Sequence, residues 1–234
     1  MHYDIVLLDA DDTLFDFHRA ESVALEESLS AFGYTAPLDE YLGAFHRINA
    51  EVWRAYEAGT STSEEIRVRR FVLLLSELGH DADPHALSEM YVSRLGRAAY
   101  LLPGARELLD ALRGVVPLGL VTNGISEVQR SRLALSGVGE YFDSVTISDE
   151  AGIQKPDPEI FRMALEALRA AAGPRSGDRV IMIGDGLHSD IRGAIAAGID
   201  SCWFNIRGAP PNPEISATYT VSGYDELYPI LGLG

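Results

Sequence analysis

The sequence has little cysteine, no long apolar run and few basic residues, and each shortage excludes a class of protein. Cys202 is the only cysteine in 234 residues, so an internal disulfide and a cysteine metal cluster are both impossible. It lies in an apolar run with Trp203 and Phe204, where we expect a core side chain and not a nucleophile. No run approaches the roughly 18 apolar residues of a membrane span, and no secretory signal pattern opens the chain. We therefore expect a cytoplasmic protein without a membrane partner.

Acidic residues dominate the charge of the chain. The 19 basic residues are outnumbered by 35 acidic ones, which gives a formal charge of −16. Such a balance disfavours long-range capture of nucleic acid or of an anionic membrane, so we expect neither as a partner. A phosphorylated substrate must then be attracted by local cations. The length and the 47% hydrophobic content are sufficient for one large domain, or one domain with an insert, around a substantial core.

Six short segments have the character of β-strands. Ile5–Leu8 is a run of four apolar residues bounded by acids, which is typical of a strand buried on both faces of a parallel sheet. Alternation of strands with helical segments implies right-handed parallel crossovers. We therefore predict an α/β fold with a doubly wound parallel sheet. The other predicted strands are Leu118–Val121, Ser144–Ile147, Val180–Ile183, Ser201–Phe204 and Tyr219–Val221.

The stretch between the first two strands shows only helical spacing. We expect Gly33 to cap the first of its helices, Ser63 to cap the third, and Pro84 to lie in the first turn of the fourth. In an otherwise alternating chain, this stretch indicates a helical insert that packs as its own unit. Its predicted helices are Phe17–Phe32, Leu38–Ala58, Ser63–Leu78 and Pro84–Tyr100.

These patterns divide the chain into two domains. Residues 1–16 and 101–234 are predicted to form an α/β core domain, and residues 17–100 a helical cap domain. The segment Arg207–Pro213 is rich in glycine and proline and is predicted to be a surface loop. The predicted core helices are Pro103–Arg113, Ile125–Leu135, Pro156–Ala172, Ser189–Ala197 and a short one near Asp225.

Three carboxylates follow the first strand, in the segment Asp9-Ala10-Asp11-Asp12-Thr13. Ligands of open α/β sheets bind at the carboxyl ends of the strands. Side chains two residues apart on an extended chain point the same way, so Asp9 and Asp11 converge on one small volume. Two carboxylates that close repel each other unless a cation lies between them, and Mg²⁺ prefers such oxygen ligands. The segment alone is equally typical of a solvated acidic loop.

Three later segments of the chain, taken in order, indicate a functional role for these acids. They are Val121-Thr122-Asn123-Gly124, then Gln154-Lys155-Pro156-Asp157-Pro158, then Gly184-Asp185-Gly186-Leu187-His188-Ser189-Asp190. Together with the first acidic segment, they resemble the four sequence motifs of the haloacid dehalogenase superfamily. The resemblance extends from residue 4 to about residue 205. It implies a Rossmann-like core with an inserted helical cap.

The resemblance also implies a reaction. In it Asp9 is the nucleophile that accepts a phosphoryl group as an aspartyl-phosphate, and Asp11 is its acid/base partner. Mg²⁺ is held by carboxylate oxygens of Asp9 and Asp185 and by the backbone carbonyl of Asp11. Lys155 offsets the charge of Asp9 and of the phosphate, and Asp190 orients Lys155 or a water on the metal.

The second motif is expected to bind the phosphate. Thr122 and the backbone amides of Asn123 and Gly124 stand at a strand end that enters a helix, where they can donate hydrogen bonds to phosphoryl oxygens. Such a trio alone is more often a simple turn.

Asp11 and Asp12 indicate which branch of the superfamily the chain resembles. Dehalogenases lack an acidic residue at the position of Asp11, so the resemblance implies a phosphatase. Asp12 replaces the glycine usually found there, as in the noncanonical pyrimidine 5′-nucleotidases. Segments of the cap are similar to that branch and to acylneuraminate 9-phosphatases. These are Asn49–Trp53, Glu57–Gly59 and Arg69–Phe71.

We therefore expect a Mg²⁺-dependent phosphatase of a small phosphorylated metabolite, foremost a nucleoside 5′-monophosphate. Asn49, Trp53 and Glu57 share one helix face, and we expect Trp53 to pack against the base or sugar while Arg70 meets a polar edge. An ordinary core aromatic with solvated neighbours is an equal alternative. A sugar-phosphate phosphatase, a phosphomutase and a non-catalytic binding protein remain open, as does the choice between monomer and homodimer.

Overall fold

The structure, a computed structural model, describes residues 1–172 and 179–233. Its described strands form one parallel sheet in the order β3-β2-β1-β4-β5-β6. Every predicted strand is confirmed, with ends that differ by at most one residue. The predicted α/β class with a doubly wound sheet is therefore confirmed. The strands are β1 Ile5–Leu8, β2 Leu118–Thr122, β3 Ser144–Ile147, β4 Val180–Gly184, β5 Asp200–Phe204 and β6 Tyr219–Val221.

Ten α-helices lie within the described residues. No described helix is both long enough and apolar enough to span a membrane. The helices are α1 Phe17–Ala31, α2 Leu38–Glu57, α3 Ser63–Leu78, α4 Pro84–Arg97, α5 Ala105–Leu112, α6 Ser126–Ser136, α7 Ser148–Ala151, α8 Pro158–Ala172, α9 Arg192–Ala197 and α10 Leu227–Leu231.

One predicted helix cap and one predicted helix start are wrong, although α3 begins at Ser63 as predicted. Thr62, not Ser63, caps α3, because its hydroxyl accepts from the amide of Glu65 while the Glu65 carboxylate accepts from the amide of Thr62. Helix α8 begins at Pro158, not at Pro156. There Asp157 accepts from the amide of Glu159 as an N-cap does, so Pro158 takes the first-turn position that the sequence offered to either proline.

The segment before α9 also differs from its prediction as a single helix. Leu187–Ile191 forms a π-helical turn, since the amide of Ile191 donates to the carbonyl of Gly186, five residues earlier, at 3.1 Å. The amide of Asp190 donates to the same carbonyl at 2.8 Å. Such wide turns are rare and occur often at functional sites. Helix α7 was not predicted.

The chain forms two compact units. The first comprises Met1–Asp16, Tyr100–Ser126 and Ser136–Gly234 and contains the sheet. The second comprises Phe17–Ala99 and Glu127–Leu135 and is helical in its described elements. Most of α6 thus belongs to the helical unit, although the sequence analysis assigned it to the core domain.

The strand order reverses next to β1, which lies between β2 and β4. Val6 of β1 pairs with Leu118 on one side and with Ile181 on the other. All four β1 side chains are at most 2% exposed, because helices cover both faces of a doubly wound sheet. The carboxyl ends of these three strands meet at the switch point, where such sheets bind ligands.

Candidate active site

Asp9 stands at the end of the central strand. Its amide donates to the carbonyl of Ile183 at 3.0 Å, which extends the pairing of β1 with β4 by one residue. The side chain is 8% exposed. Asp185 follows the last residue of β4, so the parallel pairing brings both carboxylates to the same edge of the sheet.

Lys155 provides the cation for this edge. It is the only lysine among the 19 basic residues of the chain, and it is 1% exposed. Its ammonium donates to Asp9 Oδ1 at 2.5 Å, to Asp190 Oδ1 at 2.6 Å and to the carbonyl of Val121 at 2.8 Å. An ammonium group has three protons, so each of them has an acceptor and the side chain is held in one orientation.

The buried cluster contains three carboxyl groups and one ammonium. Burial raises the pKa of Asp9 to about 7, although the charge of Lys155 opposes the rise. Burial, together with the charges of Asp9 and Asp190, also raises the pKa of Asp185 well above its ordinary value. Burial disfavours the Lys155 ammonium, but Asp190 and Asp9 outweigh it and raise the Lys155 pKa. A further cation would relieve the repulsion among the carboxylates.

The π-helical turn aims Asp190 back at the site. One carboxylate oxygen accepts from Lys155, and the other accepts from the amide of Gly186 at 2.9 Å. A Cβ at Gly184 would lie 2.3 Å from that second oxygen, so only glycine leaves room for the carboxylate here. The predicted role of Asp190 in orienting Lys155 is consistent with these contacts.

Asp185 is fixed through its backbone by two residues to which the sequence analysis gave no role. Its amide donates to the hydroxyl of Thr13 at 3.1 Å, and its carbonyl accepts from the indole nitrogen of Trp203 at 2.8 Å. A Trp in a buried strand needs a partner for its N–H, and this was the available sequence signal. The Tyr224 hydroxyl in turn donates to the carbonyl of Thr13.

The second motif follows β2 beside Lys155. The side chain of Asn123 donates to the Lys155 carbonyl at 2.9 Å and accepts from the Lys155 amide at 2.8 Å. The sequence analysis considered only the amide of Asn123 and missed this clamp. Thr122 is buried at the end of β2. The amide of Gly124 donates to the Ser148 hydroxyl at 3.1 Å, so phosphate binding by this amide stays a prediction.

Asp11 and Asp12 lie on the loop that leaves Asp9. Asp11 is half-buried, whereas Asp12 is buried and has a positive φ of 54°. The Asp12 carboxylate contacts Arg207 at 2.7 Å. The role of Asp11 as acid/base stays a prediction.

The carboxylates meet the requirements of a hard divalent cation. Asp9, Asp185 and Asp190 each offer an oxygen, and these oxygens lie within 4.8 Å of one another. Oxygen donors and surplus negative charge suit Mg²⁺. Asp190 belongs to this group by distance, but both of its oxygens already accept hydrogen bonds, which fits support of the site better than direct ligation.

The sequence also matches a known family of proteins. The model of the haloacid dehalogenase-like hydrolases matches residues 3–198. The chain belongs to this family. The resemblance found in the sequence is thereby confirmed, and the chain is a hydrolase of the haloacid dehalogenase type.

Relatives of this haloacid dehalogenase-like hydrolase match it over nearly its full length. The pyrimidine 5′-nucleotidase YjjG of Escherichia coli is 35% identical, over 99% of each chain. The pyrimidine 5′-nucleotidase PynA of Streptococcus pneumoniae is 35% identical, over 97% of this chain and 94% of PynA. The crystal structure of the Bacillus subtilis HAD-hydrolase YfnB, bound to magnesium, superposes with a TM-score of 0.88 at 35% identity, covering 98% of each chain.

Two of the predicted substrate-binding residues, Trp53 and Arg70, lie in the helical unit. Trp53 is half-buried on α2, with its ring edge-on to Tyr56 at a centroid distance of 5.6 Å. It packs against a small apolar cluster of Val52, Tyr56 and Ile66. Part of the indole thus supports the fold, and its contact with substrate stays a prediction.

Arg70 is 1% exposed and belongs to a buried polar network. Its Nη1 donates to Asn49 at 3.2 Å, and the Asn49 amide donates to Glu21 at 2.7 Å. The guanidinium also lies over the ring of Tyr91, 4.7 Å from its centroid. The described contacts give Arg70 a packing role within the helical unit, while its predicted contact with substrate is untested.

Proposed function

We propose that this hydrolase is a Mg²⁺-dependent phosphatase that acts on small phosphate monoesters, foremost nucleoside 5′-monophosphates. The observation that carries the proposal is the buried ion cluster in which Lys155 holds Asp9 at 2.5 Å beside Asp185. A buried carboxylate at the sheet switch point, with its orientation fixed by an ammonium, is suited to attack an electrophile. Asp11 supports phosphate ester hydrolysis over dehalogenation, because an alkoxide leaving group needs a proton and the Asp11 carboxyl can donate one.

In the first step an oxygen of Asp9 attacks the phosphorus of the ester. A bond forms between Asp9 and phosphorus, and the bond from phosphorus to the leaving oxygen breaks. Asp11 gives its proton to that oxygen, so the product leaves as a neutral alcohol. Lys155 restrains the Asp9 carboxylate during the attack, which limits the entropy that the reaction must lose.

In the second step water hydrolyses the aspartyl-phosphate. Asp11, now ionised, takes a proton from the water as its oxygen attacks phosphorus. The bond from phosphorus to Asp9 breaks, inorganic phosphate leaves, and the carboxylate is regenerated. The ammonium of Lys155 stabilises the returning charge on Asp9.

Asp9 and Asp185 would hold the magnesium ion through carboxylate oxygens, and Asp11 through its backbone carbonyl. When bound, Mg²⁺ supplies positive charge that offsets the carboxylates and polarises the phosphoryl group. Thr13 and Trp203 hold the backbone of Asp185, and such support of a ligand strengthens metal sites.

The preference for nucleotides is supported by the two pyrimidine 5′-nucleotidases among the relatives. In this proposal Trp53 packs against the base or sugar, and Arg70 meets a polar edge of the substrate. An indole supplies apolar area with little loss of conformational entropy.

A panel of phosphate esters tests the proposal. The purified protein is incubated with Mg²⁺ and, in separate reactions, pyrimidine and purine 5′-monophosphates, sugar phosphates and p-nitrophenyl phosphate. Inorganic phosphate and isomerised sugar phosphate are both measured. Asp9→Asn serves as the control, because it keeps the shape of the side chain but removes the attacking charge.

Release of phosphate by the wild type and not by Asp9→Asn is the expected result, with the highest kcat/KM on a pyrimidine nucleotide. Isomerised sugar phosphate without net release would favour a phosphomutase. A highest kcat/KM on a sugar phosphate would contradict the nucleotide preference alone. Turnover of no ester would contradict the phosphatase proposal as a whole.

A further inference from the structure

Arg207 lies on the turn that follows β5, and nothing in the family comparison gives it a role. The turn is closed by Asn205, whose side chain accepts from the Ala209 amide at 2.7 Å and donates to the Ala209 carbonyl at 3.0 Å. Gly208 has a φ of +65°, a conformation that glycine adopts without strain. The local contacts thus hold the backbone that presents Arg207.

Arg207 contacts both ends of the loop segment that carries the catalytic acids into the helical unit. Its Nη2 lies 2.7 Å from Asp12 Oδ1 and 3.6 Å from Asp16 Oδ1. The side chain of Asp12 is 11% exposed in this pair, and that of Arg207 is 44% exposed. Partial exclusion of water makes such a pair stronger than one on the open surface.

The backbone conformation of Asp12 is disfavoured, so contacts with its surroundings must stabilise it. Its φ of 54° is the only positive value among the described residues other than glycine. A side chain in this region is disfavoured sterically and persists where the surroundings hold it. The resemblance described in the sequence analysis implies that glycine is the usual residue here, whereas this chain combines an acid with a cation that binds it.

The conformation of Asp12 determines that of Asp11. The Asp12 amide donates to the carbonyl of Phe15 at 2.8 Å. Since a trans peptide is planar, the direction of this N–H fixes the direction of the Asp11 carbonyl. A shift at Asp12 would therefore rotate the backbone of Asp11 and displace its carboxylate.

We propose that Arg207 is a positioning residue of the active site, which acts through Asp12 to hold Asp11 in the orientation for proton transfer. The inference rests on the proposed function, because it assigns Arg207 to the protonation step of phosphate ester hydrolysis. Misplacement of a reacting group by a fraction of an ångström is enough to slow such a step.

Leaving-group dependence tests this role. Arg207→Gln and Asp12→Asn are compared with the wild type through kcat/KM in Mg²⁺, on a nucleoside 5′-monophosphate and on p-nitrophenyl phosphate. The alkyl ester needs a proton on its leaving oxygen, but nitrophenolate leaves without one. Each variant should lose about tenfold or more on the nucleotide and less than about threefold on the aryl ester.

Two further variants test whether the losses come from the Arg207–Asp12 pair or from the removal of a positive charge in general. The double variant Arg207→Gln/Asp12→Asn should be no slower than the slower single variant, because the two residues act as one pair. Arg179→Gln removes an exposed cation from the same unit, one that lies 3.6 Å from Asp200, and should leave both rates unchanged. Equal losses on both esters, or additive losses in the double variant, would overturn the inference.

Hydrogen exchange provides a readout that does not depend on turnover. The amides of Asp12, Leu14, Phe15 and Asp16 all donate to backbone carbonyls, so the segment should be protected in the wild type. Arg207→Gln should accelerate exchange in this segment several-fold and leave the peptides of the helical unit unchanged. Unchanged exchange would overturn the inference. A wild type that hydrolyses neither ester would count against the proposed function, and exchange would still decide whether Arg207 holds the loop.

Discussion

Lys155→Met should strongly destabilise the core unit, because the ammonium is the partner of two buried carboxylates. Methionine fills a similar volume but leaves Asp9, Asp190 and the carbonyl of Val121 without their shared donor. Removal of one partner from a buried ion pair costs about 3–5 kcal/mol. A native domain has a free energy of unfolding of about 5–15 kcal/mol. The variant should therefore remain folded, but with a much smaller free energy of unfolding.

The pH dependence of this cost follows from the acids that remain. The pKa of Asp9 is already raised to about 7, and loss of Lys155 should raise it further. The folded variant would then bind protons that the unfolded chain releases, so its stability should fall as the pH rises. The cost of Lys155→Met should therefore be larger at about pH 8 than at about pH 5, where the Asp9 carboxyl is neutral.

Urea unfolding measured by tryptophan fluorescence checks the prediction without added metal. The two tryptophans of the chain are Trp53 in the helical unit and Trp203 in the core unit, so a Trp53→Phe background makes the signal report on the core. Asp190→Asn in addition to Lys155→Met removes one unpaired charge, and the double variant should lose less than the sum of the single variants. Additive losses, or a single-variant cost below about 1 kcal/mol at pH 8, would refute the reasoning.

Three further predictions concern other parts of the molecule. Asp9→Asn should lower turnover by orders of magnitude while circular dichroism shows an intact fold; near wild-type turnover would exclude Asp9 as the nucleophile. Glu21 raises the pKa of His46, so the charged pair stabilises the fold below about pH 6.5 and this is lost at higher pH. His46→Gln should accordingly cost less than about 1 kcal/mol at acidic pH and close to nothing at pH 9 in urea unfolding; a cost independent of pH would contradict the pairing. Trp53→Ala and Arg70→Ala should lower kcat/KM for the preferred nucleotide far more than for p-nitrophenyl phosphate; equal losses would indicate packing roles only.

The strands and the motif positions could be predicted because their signals are local. Ile5–Leu8 and Val180–Ile183 are apolar runs of four residues, a length and composition typical of a buried strand, and the acids that follow such strands lie at the carboxyl edge of the sheet. The cap of a helix was harder to predict where neighbouring residues had the same capping chemistry. Thr62 and Ser63 both carry a hydroxyl, and only the geometry of the first turn selects between them.

The supporting contacts could not be predicted, because they join residues that are distant in the sequence. Thr13 and Asp185 are 172 positions apart, and Asp12 and Arg207 are 195 apart. No local periodicity indicates such a pair. Arg207 was assigned only to a surface loop, and its partner becomes visible only when β5 is placed beside β4 in the sheet.

Chemical trapping of the phosphorylated residue tests the central claim most directly. The enzyme is mixed with substrate and Mg²⁺, quenched in acid during turnover and reduced with borohydride, which converts an aspartyl-phosphate to homoserine. Peptide mass spectrometry then locates the change. We predict homoserine at Asp9 and at no other acid, and none in Asp9→Asn. Homoserine at another position, or its absence at Asp9 in samples quenched before the first turnover is complete, would contradict the assignment of Asp9 as the nucleophile.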